Sequence, residues 1–255
     1  MLDVSNPKLV PTLVCLHGAG GGGWEWNIWR RVFAASGWRV LAPDLQPRES
    51  GVAATRIGDY CAQVVSYCEP IAASDLVIAG ASLGGLLALQ EASRRAPAGL
   101  ILLNPIPPVP IVAALPARPS SPPVVRWSDS SLASTLAALP DADAAACWYA
   151  WRRWRDESGA VIDGARHGVT LNLPSCPSLL FASSEDSDIP PASTRALADA
   201  LRGICIDVEM ASHVGVLLGG NAAVLAAKAR DWAQRVLVAV HAAQPALNVA
   251  ARQRR

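Results

Sequence analysis

The stretch LVIAGASLGGLLALQEASRR, residues 76–95, decides the fold of this 255-residue chain. Its first part, LVIAG, is a short apolar run typical of a strand that is buried on both faces of a parallel sheet. Its last part, LGGLLALQEASRR, has the pattern of a helix. Ser82 stands between them in a G-x-S-x-G sequence, whose glycines permit a sharp turn. We predict that Ser82 lies on a strained turn as a nucleophile, and a serine that only caps the helix is the alternative.

The same alternation of apolar runs and helical patterns extends along the chain. Predicted strands occupy residues 13–16, 39–42, 76–79, 100–103, 179–182 and 204–210. Predicted helices occupy roughly 27–36, 55–70, 83–95, 191–202 and 221–242. This order predicts an α/β fold: a mostly parallel, doubly wound sheet of about six strands with helices on both faces. Ligands of such sheets bind at the carboxyl ends of the strands, and each polar residue that we single out follows a strand end.

One segment interrupts the alternation. Residues 105–123, PIPPVPIVAALPARPSSPP, hold eight prolines in 19 positions, which neither a helix nor a central strand tolerates. We expect this stretch to run over the surface. A more helical piece follows at 129–156. The chain is therefore divided into a core of residues 1–104 and 175–243, a small cap insertion of residues 105–174 and a C-terminal tail of residues 244–255.

Composition excludes several classes of function. Hydrophobic residues make up 51% of the chain and charged residues 17%, so the core is large and the charged surface modest. The net charge of +1 gives no general attraction to nucleic acid or to an anionic membrane, and we expect neither as a partner. None of the six cysteines forms a C-x-x-C pair, so a zinc or redox motif is unsupported. We expect a reaction that uses no metal or cofactor. No secretory signal is visible at the start, which favours a cytoplasmic protein with free thiols.

A nucleophilic serine needs a base and an acid that orients the base. His213, in ASHVG at 211–215, is the one histidine that follows a strand end and comes after both the nucleophile and a cluster of acids. That cluster, SEDSDIP at 184–190, offers Glu185, Asp186 and Asp188. The residues alone leave the choice of acid open, and a carboxylate can also favour the start of the next helix.

The developing oxyanion needs two backbone donors. The amide of Leu83 at the helix start is one, and the glycine-rich loop HGAGGGG at 17–23 supplies the other. A phosphate-binding loop is the alternative, but neither a dinucleotide fingerprint nor a Walker lysine accompanies it.

These motifs and their order resemble the α/β-hydrolase superfamily over about residues 10–240. The matching pieces are HGAGGGGWEW, a strand ending in APDL, GASLGG, EDSDIP and the late SH. The resemblance selects Asp186, because the family's acid usually stands four residues before a proline, here Pro190. It implies a catalytic triad and an oxyanion hole made of Ser82, Asp186, His213 and the amides of Ala19 and Leu83.

The glycine- and tryptophan-containing loop and the short lead before the first strand are similar to the small plant methylesterase and hydroxynitrile lyase branch. Two departures stand out. Ser183 and Ser212 occupy positions where the family commonly has glycine, so both turns are expected to differ in shape. Neither Lys8 nor Lys228 matches the lysine that hydroxynitrile lyases need near the histidine, which argues against cyanohydrin cleavage. Relatives with an aspartate nucleophile are disfavoured because the elbow residue is serine.

Nine tryptophans against two phenylalanines indicate an aromatic-rich interior. We expect Trp24, Trp148 and Trp151 to line a pocket for a flat apolar or aromatic acyl group, with core packing as the alternative. Three arginines, Arg152, Arg153 and Arg155, interleave with the tryptophans of the insertion. They are able to clamp a phosphate of a carrier-bound thioester, although a solvated helix face is favoured.

The expected function is hydrolysis of a carboxylic ester or thioester through an acyl-enzyme. A tailoring lactonase, thioesterase or cyclase of secondary metabolism is the alternative within the chemistry. A ligand-binding receptor without catalysis is the alternative from another class. The oligomeric state is not predicted.

Overall fold

The fold, taken from a computed structural model, is described for residues 10–253, with side chains described for 10–243. The expectation that no secretory signal begins the chain rests on residues that lie partly outside this range. The strands are β1 (Thr12–Leu16), β2 (Arg39–Leu41), β3 (Leu76–Ala81), β4 (Gly99–Leu103), β5 (Val124–Val125), β6 (Glu157–Ser158), β7 (Ser178–Ser183) and β8 (Ile204–Val208). Six of them form one sheet in the order β2-β1-β3-β4-β7-β8, and every neighbouring pair is parallel. The predicted parallel sheet is confirmed.

Helices connect the strands of this sheet. They are α1 (Asn27–Ala34), α2 (Ile57–Cys68), α3 (Leu83–Arg95), α4 (Leu132–Ala138), α5 (Ala144–Trp151), α6 (Gly159–His167), α7 (Pro191–Leu201), α8 (Gly215–Leu218) and α9 (Ala222–Gln253). The last helix continues to Gln253, past its predicted end near 242, so residues 244–253 of the predicted tail are helical. Seven of residues 244–253 are alanine, leucine, glutamine or arginine, which favour helix, whereas Pro245 disfavours it. Residues 254 and 255 lie outside the described part of the chain.

The sheet buries both faces, each against its own layer of helices. In β1, Leu13 and Cys15 belong to one hydrophobic cluster and Val14 and Leu16 to the other, because successive side chains point to opposite faces. The first cluster includes residues of α1 and α9, and the second includes residues of α2, α3 and α7. Two of the predicted apolar strands, β2 and β8, lie at the edges of the sheet and are partly exposed.

The segment between β4 and β7 holds α4, α5, α6 and the two-stranded antiparallel ribbon of β5 and β6. The predicted helical piece at 129–156 is two helices, because Pro140 breaks the pattern and Asp143 caps α5 by accepting a hydrogen bond from the Ala146 amide at 2.7 Å. In the proline-rich stretch, residues 105–108 are buried and most of 109–123 is exposed.

Among the described helices, none combines the length and hydrophobicity that a membrane span requires. The six cysteines are free, and four of them are buried.

Candidate active site

Ser82 occupies a strained turn between β3 and α3. Its backbone has φ 52° and ψ −118°, which is unfavourable for a residue with a side chain. The turn is held because the Ser82 amide donates to the Leu103 carbonyl at 3.0 Å and the Ser82 carbonyl accepts from the Ile106 amide at 3.0 Å. A Cβ atom on Gly84 would lie 2.2 Å from the Leu16 carbonyl oxygen, so only glycine lets α3 approach β1 this closely. The predicted sharp turn is present.

His213 and Asp186 are in direct contact through their side chains. His213 Nδ1 lies 2.6 Å from Asp186 Oδ2, and the Asp186 side chain is fully buried. Asp186 Oδ1 accepts hydrogen bonds from the amides of Asp188 at 2.8 Å and Ile189 at 2.9 Å. Burial lowers the pKa of His213, but the hydrogen bond and the negative charge of Asp186 outweigh burial, and the net pKa is raised. The pair favours a protonated Nδ1 that faces the carboxylate.

The other two carboxylates of the acidic cluster have different partners. Asp188 forms an ion pair with Arg118 of the insertion. Glu185 is exposed and lies 3.3 Å from the Ser184 hydroxyl. Of the three candidates for the acid, the structure therefore brings only Asp186 to His213.

Ser82 and His213 line the same cavity, which we call the serine cavity. Within the described residues, no hydrogen bond joins the Ser82 hydroxyl to the His213 ring. Such bonds are often long in ligand-free enzymes and shorten when the substrate binds. The geometry thus places Ser82 and His213, the histidine of the histidine–carboxylate pair, at one cavity.

Asn104 ties the loops of the site together and was missed by sequence reasoning. Its side-chain amide donates to the Ser183 hydroxyl at 2.8 Å and to the His213 carbonyl at 2.9 Å, and its oxygen accepts from the Ser183 amide at 2.9 Å. Its position directly after β4, at the same sheet edge as the other site residues, was the available signal. Ser183, where the family commonly has glycine, is used here as an anchor for Asn104.

Ala19 and Leu83, after β1 and at the start of α3, line the serine cavity, and their backbone amides are the predicted oxyanion donors. Neither donates a hydrogen bond to another described residue, so both are free to bind an oxyanion. The next residue, Gly20, has φ +71°, and a Cβ atom there would lie 2.0 Å from the Trp127 ring. The loop therefore needs glycine both for its conformation and for its contact with the insertion.

The ring of His17 fixes the start of this glycine-rich loop. Its Nδ1 lies 2.8 Å from the Gly18 carbonyl oxygen, and its Nε2 accepts from the Leu45 amide at 2.9 Å. Burial lowers the pKa of His17 to about 4. His17 is thus a neutral, structural histidine, in contrast to His213.

Glu25 is a buried acid beneath the same loop. Its Oε2 lies 3.4 Å from the Gly22 amide, which donates to it. Burial raises the pKa of Glu25 to about 8, against the smaller opposing effects of the loop amides and of His213. At neutral pH its carboxyl group is mainly protonated, so it adds little charge beside the candidate base.

Residues of the insertion form hydrogen bonds with the glycine-rich loop. The Arg155 amide donates to the Gly20 carbonyl at 2.8 Å, and the Gly20 amide donates to Glu157 Oε2 at 3.4 Å. The other oxygen of Glu157 accepts from the Tyr60 hydroxyl at 2.8 Å and from the Ser158 amide at 2.8 Å. Burial raises the pKa of the Glu157 carboxyl group. The insertion thereby fixes the backbone of Gly20, the loop residue that follows Ala19.

The insertion also forms hydrogen bonds with the loop that carries His213. Asp141 accepts from the Ser212 hydroxyl at 2.6 Å and from the Ser212 amide at 3.2 Å. The Ser212 hydroxyl in turn accepts from the Gly215 amide at 3.1 Å. The second serine that departs from the family pattern is therefore an anchor for Asp141.

The serine cavity has a volume of about 290 Å³ and a mainly apolar wall. More than half of its lining residues come from the predicted insertion, residues 105–174. Its lining is Ala19, Ser82, Leu83, Ile106, Arg118, Trp127, Ser130, Ser134, Thr135, Ala138, Trp154, Ile162, Arg166, Asp188, Ile189, His213 and Val214.

The pocket tryptophans differ from those predicted, and the prediction is corrected. Trp24 packs edge-on against Tyr149 and Trp154, outside the cavity lining. Trp148 is 48% exposed and packs against Trp151, whose Nε1 donates to the Ser130 carbonyl at 2.7 Å. The tryptophans that line the cavity are Trp127 and Trp154. Helix α5 ends at Trp151, and Trp154 follows it in a loop, where its side chain lines the cavity.

The three arginines proposed as a phosphate clamp do not line the serine cavity either. Arg152 and Arg153 are exposed, and the Arg153 guanidinium lies 3.7 Å above the centre of the Tyr149 ring. Arg155 donates to the Leu45 carbonyl at 2.8 Å. Within residues 10–243, no group of three or more histidine, cysteine, aspartate or glutamate side chains is arranged to hold a metal ion.

A parallel sheet with a serine on its strand–helix turn and a histidine–aspartate pair at the same edge defines the class of this protein. Residues 13–228 match the sequence profile of the alpha/beta hydrolase family, and the chain belongs to that family. A comparison with curated proteins gave no match.

Solved structures of similar fold have low sequence identity to this chain. They include a pyrethroid hydrolase from Sphingobium faniae, with 21% identity, a TM-score of 0.68 and coverage of 88% of this chain and 98% of the other. A tomato methylketone synthase I variant complexed with beta-ketoheptanoate has 14% identity, a TM-score of 0.69 and coverage of 89% and 99%. A monoacylglycerol lipase from Paleococcus ferrophilus has 18% identity, a TM-score of 0.63 and coverage of 88% and 94%.

Proposed function

We propose that this protein is a serine hydrolase that cleaves a carboxylic ester or thioester through an acyl-enzyme. The observation that carries the proposal is the 2.6 Å contact between His213 Nδ1 and Asp186, beside a cavity that Ser82 also lines. A buried carboxylate on one ring nitrogen leaves the other nitrogen as the base for the serine proton. No metal or cofactor takes part in the proposed reaction.

The first half of the reaction forms the acyl-enzyme. His213 Nε2 takes the proton from Ser82 as its Oγ attacks the carbonyl carbon, and the carbonyl oxygen becomes an oxyanion. The amides of Ala19 and Leu83 donate hydrogen bonds to this oxyanion. The tetrahedral species collapses as the bond to the leaving alcohol or thiol breaks, and His213 returns its proton to the leaving group.

The second half releases the acid. His213 takes a proton from a water molecule, whose oxygen attacks the acyl carbon and forms a second oxyanion in the same place. Collapse breaks the bond to Ser82 Oγ, which regains a proton from His213. Asp186 keeps its hydrogen bond to Nδ1 and stabilises the imidazolium that forms in each half.

The shape of the serine cavity limits the substrate. A volume of about 290 Å³ is near the lower end of ligand pockets and suits a compact acyl group. Ile106, Ile162, Ile189 and Val214 contribute apolar wall, and Trp127 and Trp154 contribute aromatic surface. A small, mainly apolar acyl group is the substrate part that we assign to this cavity.

Labelling of the serine with a fluorophosphonate probe tests the proposal. We expect the probe to modify Ser82 in the wild-type protein, as located by peptide mass spectrometry, and to leave Ser82→Ala unmodified. Turnover of p-nitrophenyl esters and acyl thioesters of graded length should fall by at least ~10³-fold in kcat in this variant.

Ser130→Ala is the matched control, because Ser130 lines the same cavity and its hydroxyl has no hydrogen-bond partner among the described residues. It should label and turn over esters like the wild type. A folded wild-type protein that neither labels nor hydrolyses any ester of the series would instead support the ligand-binding receptor.

A further inference from the structure

Two arginines of the insertion, Arg118 and Arg166, stand at the boundary between two cavities. Both line the serine cavity, and both also line a second cavity of about 650 Å³. Trp127 and Ile162 are shared in the same way. A substrate that fills the serine cavity therefore shares it with the side chains of two arginines.

The charges around this boundary do not balance. Arg118 is paired with Asp188. Arg166 donates to the Pro116 carbonyl at 2.8 Å and has no carboxylate within 4.0 Å among the described residues. The acid that lines the second cavity, Asp163, accepts from the amide and hydroxyl of Ser121. The serine cavity is thus left with one positive charge that no described carboxylate pairs.

The environment of Arg166 makes an anion favourable there. Burial lowers the pKa of Arg166, and the like charge of Arg118 lowers it further, while Asp188 opposes both effects. Two guanidinium groups that repel each other in a partly dehydrated site are stabilised by a bound anion. A carboxylate suits them because guanidinium groups bind carboxylates through paired, charge-assisted hydrogen bonds.

We propose that the substrate's acyl group carries a carboxylate at its far end, and that Arg166, assisted by Arg118, binds this carboxylate while the ester or thioester carbonyl lies at Ser82. This inference rests on the proposed serine hydrolase function. It refines the apolar acyl group to a dicarboxylic half-ester or half-thioester. Arg118 and Arg166 determine specificity, and neither takes part in bond breaking.

Matched ester pairs test the inference. Mono-p-nitrophenyl adipate and suberate are compared with p-nitrophenyl hexanoate and octanoate, which replace the free carboxylate by a methyl group. We expect kcat/KM of the wild type to be about tenfold or more higher for the carboxylate member of the better pair. This ratio should fall as ionic strength rises, because salt screens the partly exposed charges.

Variants of the residues between the two cavities test whether the arginines cause the preference for the carboxylate esters. Arg166→Met should lower the ratio by about tenfold or more, because it removes the charge and keeps an apolar stem. Arg166→Lys should retain part of the ratio. Asp188→Asn should raise the ratio, because it frees Arg118 from its partner. Arg153→Met is the control, since this arginine of the insertion stacks on Tyr149 outside both cavities and its loss should leave the ratio unchanged.

Each ratio is measured within one preparation, so a partly inactive variant still gives a valid result. A wild-type ratio near one, or a ratio that Arg166→Met and Arg118→Met both leave unchanged, would overturn the carboxylate assignment. If Arg166→Met does not fold, the salt series and Arg166→Lys decide the question. Failure of the underlying hydrolase function is distinct: no ester of either kind would be cleaved, and Ser82 would not be labelled.

Discussion

Asp141 holds the loop of the candidate base, because its carboxylate accepts a 2.6 Å hydrogen bond from the hydroxyl of Ser212, the residue before His213. The two residues are 71 positions apart, and Asp141 belongs to the insertion. The insertion is therefore more than a cover for the serine cavity. It fixes the backbone from which His213 extends.

Asp141→Ala should lower kcat by about 10- to 100-fold with little change in KM, because a shift of the imidazole by a fraction of an ångström disturbs proton transfer. Asp143→Ala is the matched control: it removes the cap of α5 two residues away and should cost about 1 kcal/mol of stability with kcat preserved. Steady-state kinetics and thermal unfolding of both variants make the comparison. Equal kcat losses in the two would show that Asp141 acts only through stability.

Gly20→Ala should impair the oxyanion loop. The new methyl group would overlap the Trp127 ring at 2.0 Å in a backbone with φ +71°, so the loop and the Ala19 amide must shift. We expect kcat to fall by about 10²-fold, as expected for loss of one oxyanion donor.

Gly37→Ala provides the control for backbone strain alone, because Gly37 has φ +83° and open space around its Cα. It should cost about 1 kcal/mol of stability and leave kcat unchanged. Circular dichroism melts and ester kinetics distinguish the two effects. A Gly20→Ala protein with normal kcat would remove the loop from the proposed mechanism.

Ester hydrolysis should depend on the protonation of His213. The base acts when neutral, so kcat/KM should fall as pH drops through the His213 pKa, which lies above the ordinary value of about 6.5. Asp186→Asn removes the hydrogen bond to a carboxylate and the charge that raise this pKa, so the lowering effect of burial prevails and the inflection moves to lower pH. The same change should cost on the order of 10³–10⁴ in kcat.

Asp188→Asn is the comparison for this profile. Asp188 also raises the His213 pKa, but only through its charge, so its variant should move the inflection less and in the same direction. Its kcat loss should be far smaller, because it does not touch the imidazole. A pH profile that shifts more for Asp188→Asn than for Asp186→Asn would reassign the acid.

Trp154 should affect the choice of acyl group. Trp154→Ala is expected to raise KM for bulky apolar acyl esters more than for acetyl esters, because lost apolar contact, at ~25 cal/mol per Å², grows with the substrate area. Trp148→Ala, which removes a half-exposed ring outside the cavity, should leave this ratio unchanged. Equal KM changes for all chain lengths, with a stability loss of ~3–5 kcal/mol, would mean that Trp154 only packs the insertion.

Much of the fold was readable in the sequence, because strands, helices and the turn at Ser82 depend on local patterns. Apolar runs that alternate with helical patterns predicted the parallel sheet, and the glycines around Ser82 predicted its sharp turn. The position of His213 after a strand end followed from the same patterns, since the carboxyl ends of parallel strands meet at one edge. The choice of Asp186 among three acids came from family resemblance and not from local spacing.

Only the tertiary structure decided what the insertion contributes. The contacts of Glu157 with Gly20 and of Asp141 with Ser212 join residues that are 137 and 71 positions apart, and no periodicity connects them. The same holds for the cavity tryptophans: the sequence favoured Trp24, Trp148 and Trp151, but the fold places Trp127 and Trp154 at the cavity instead. Local patterns specify backbone direction and burial, whereas contacts between an insertion and the sheet edge depend on packing across the whole chain.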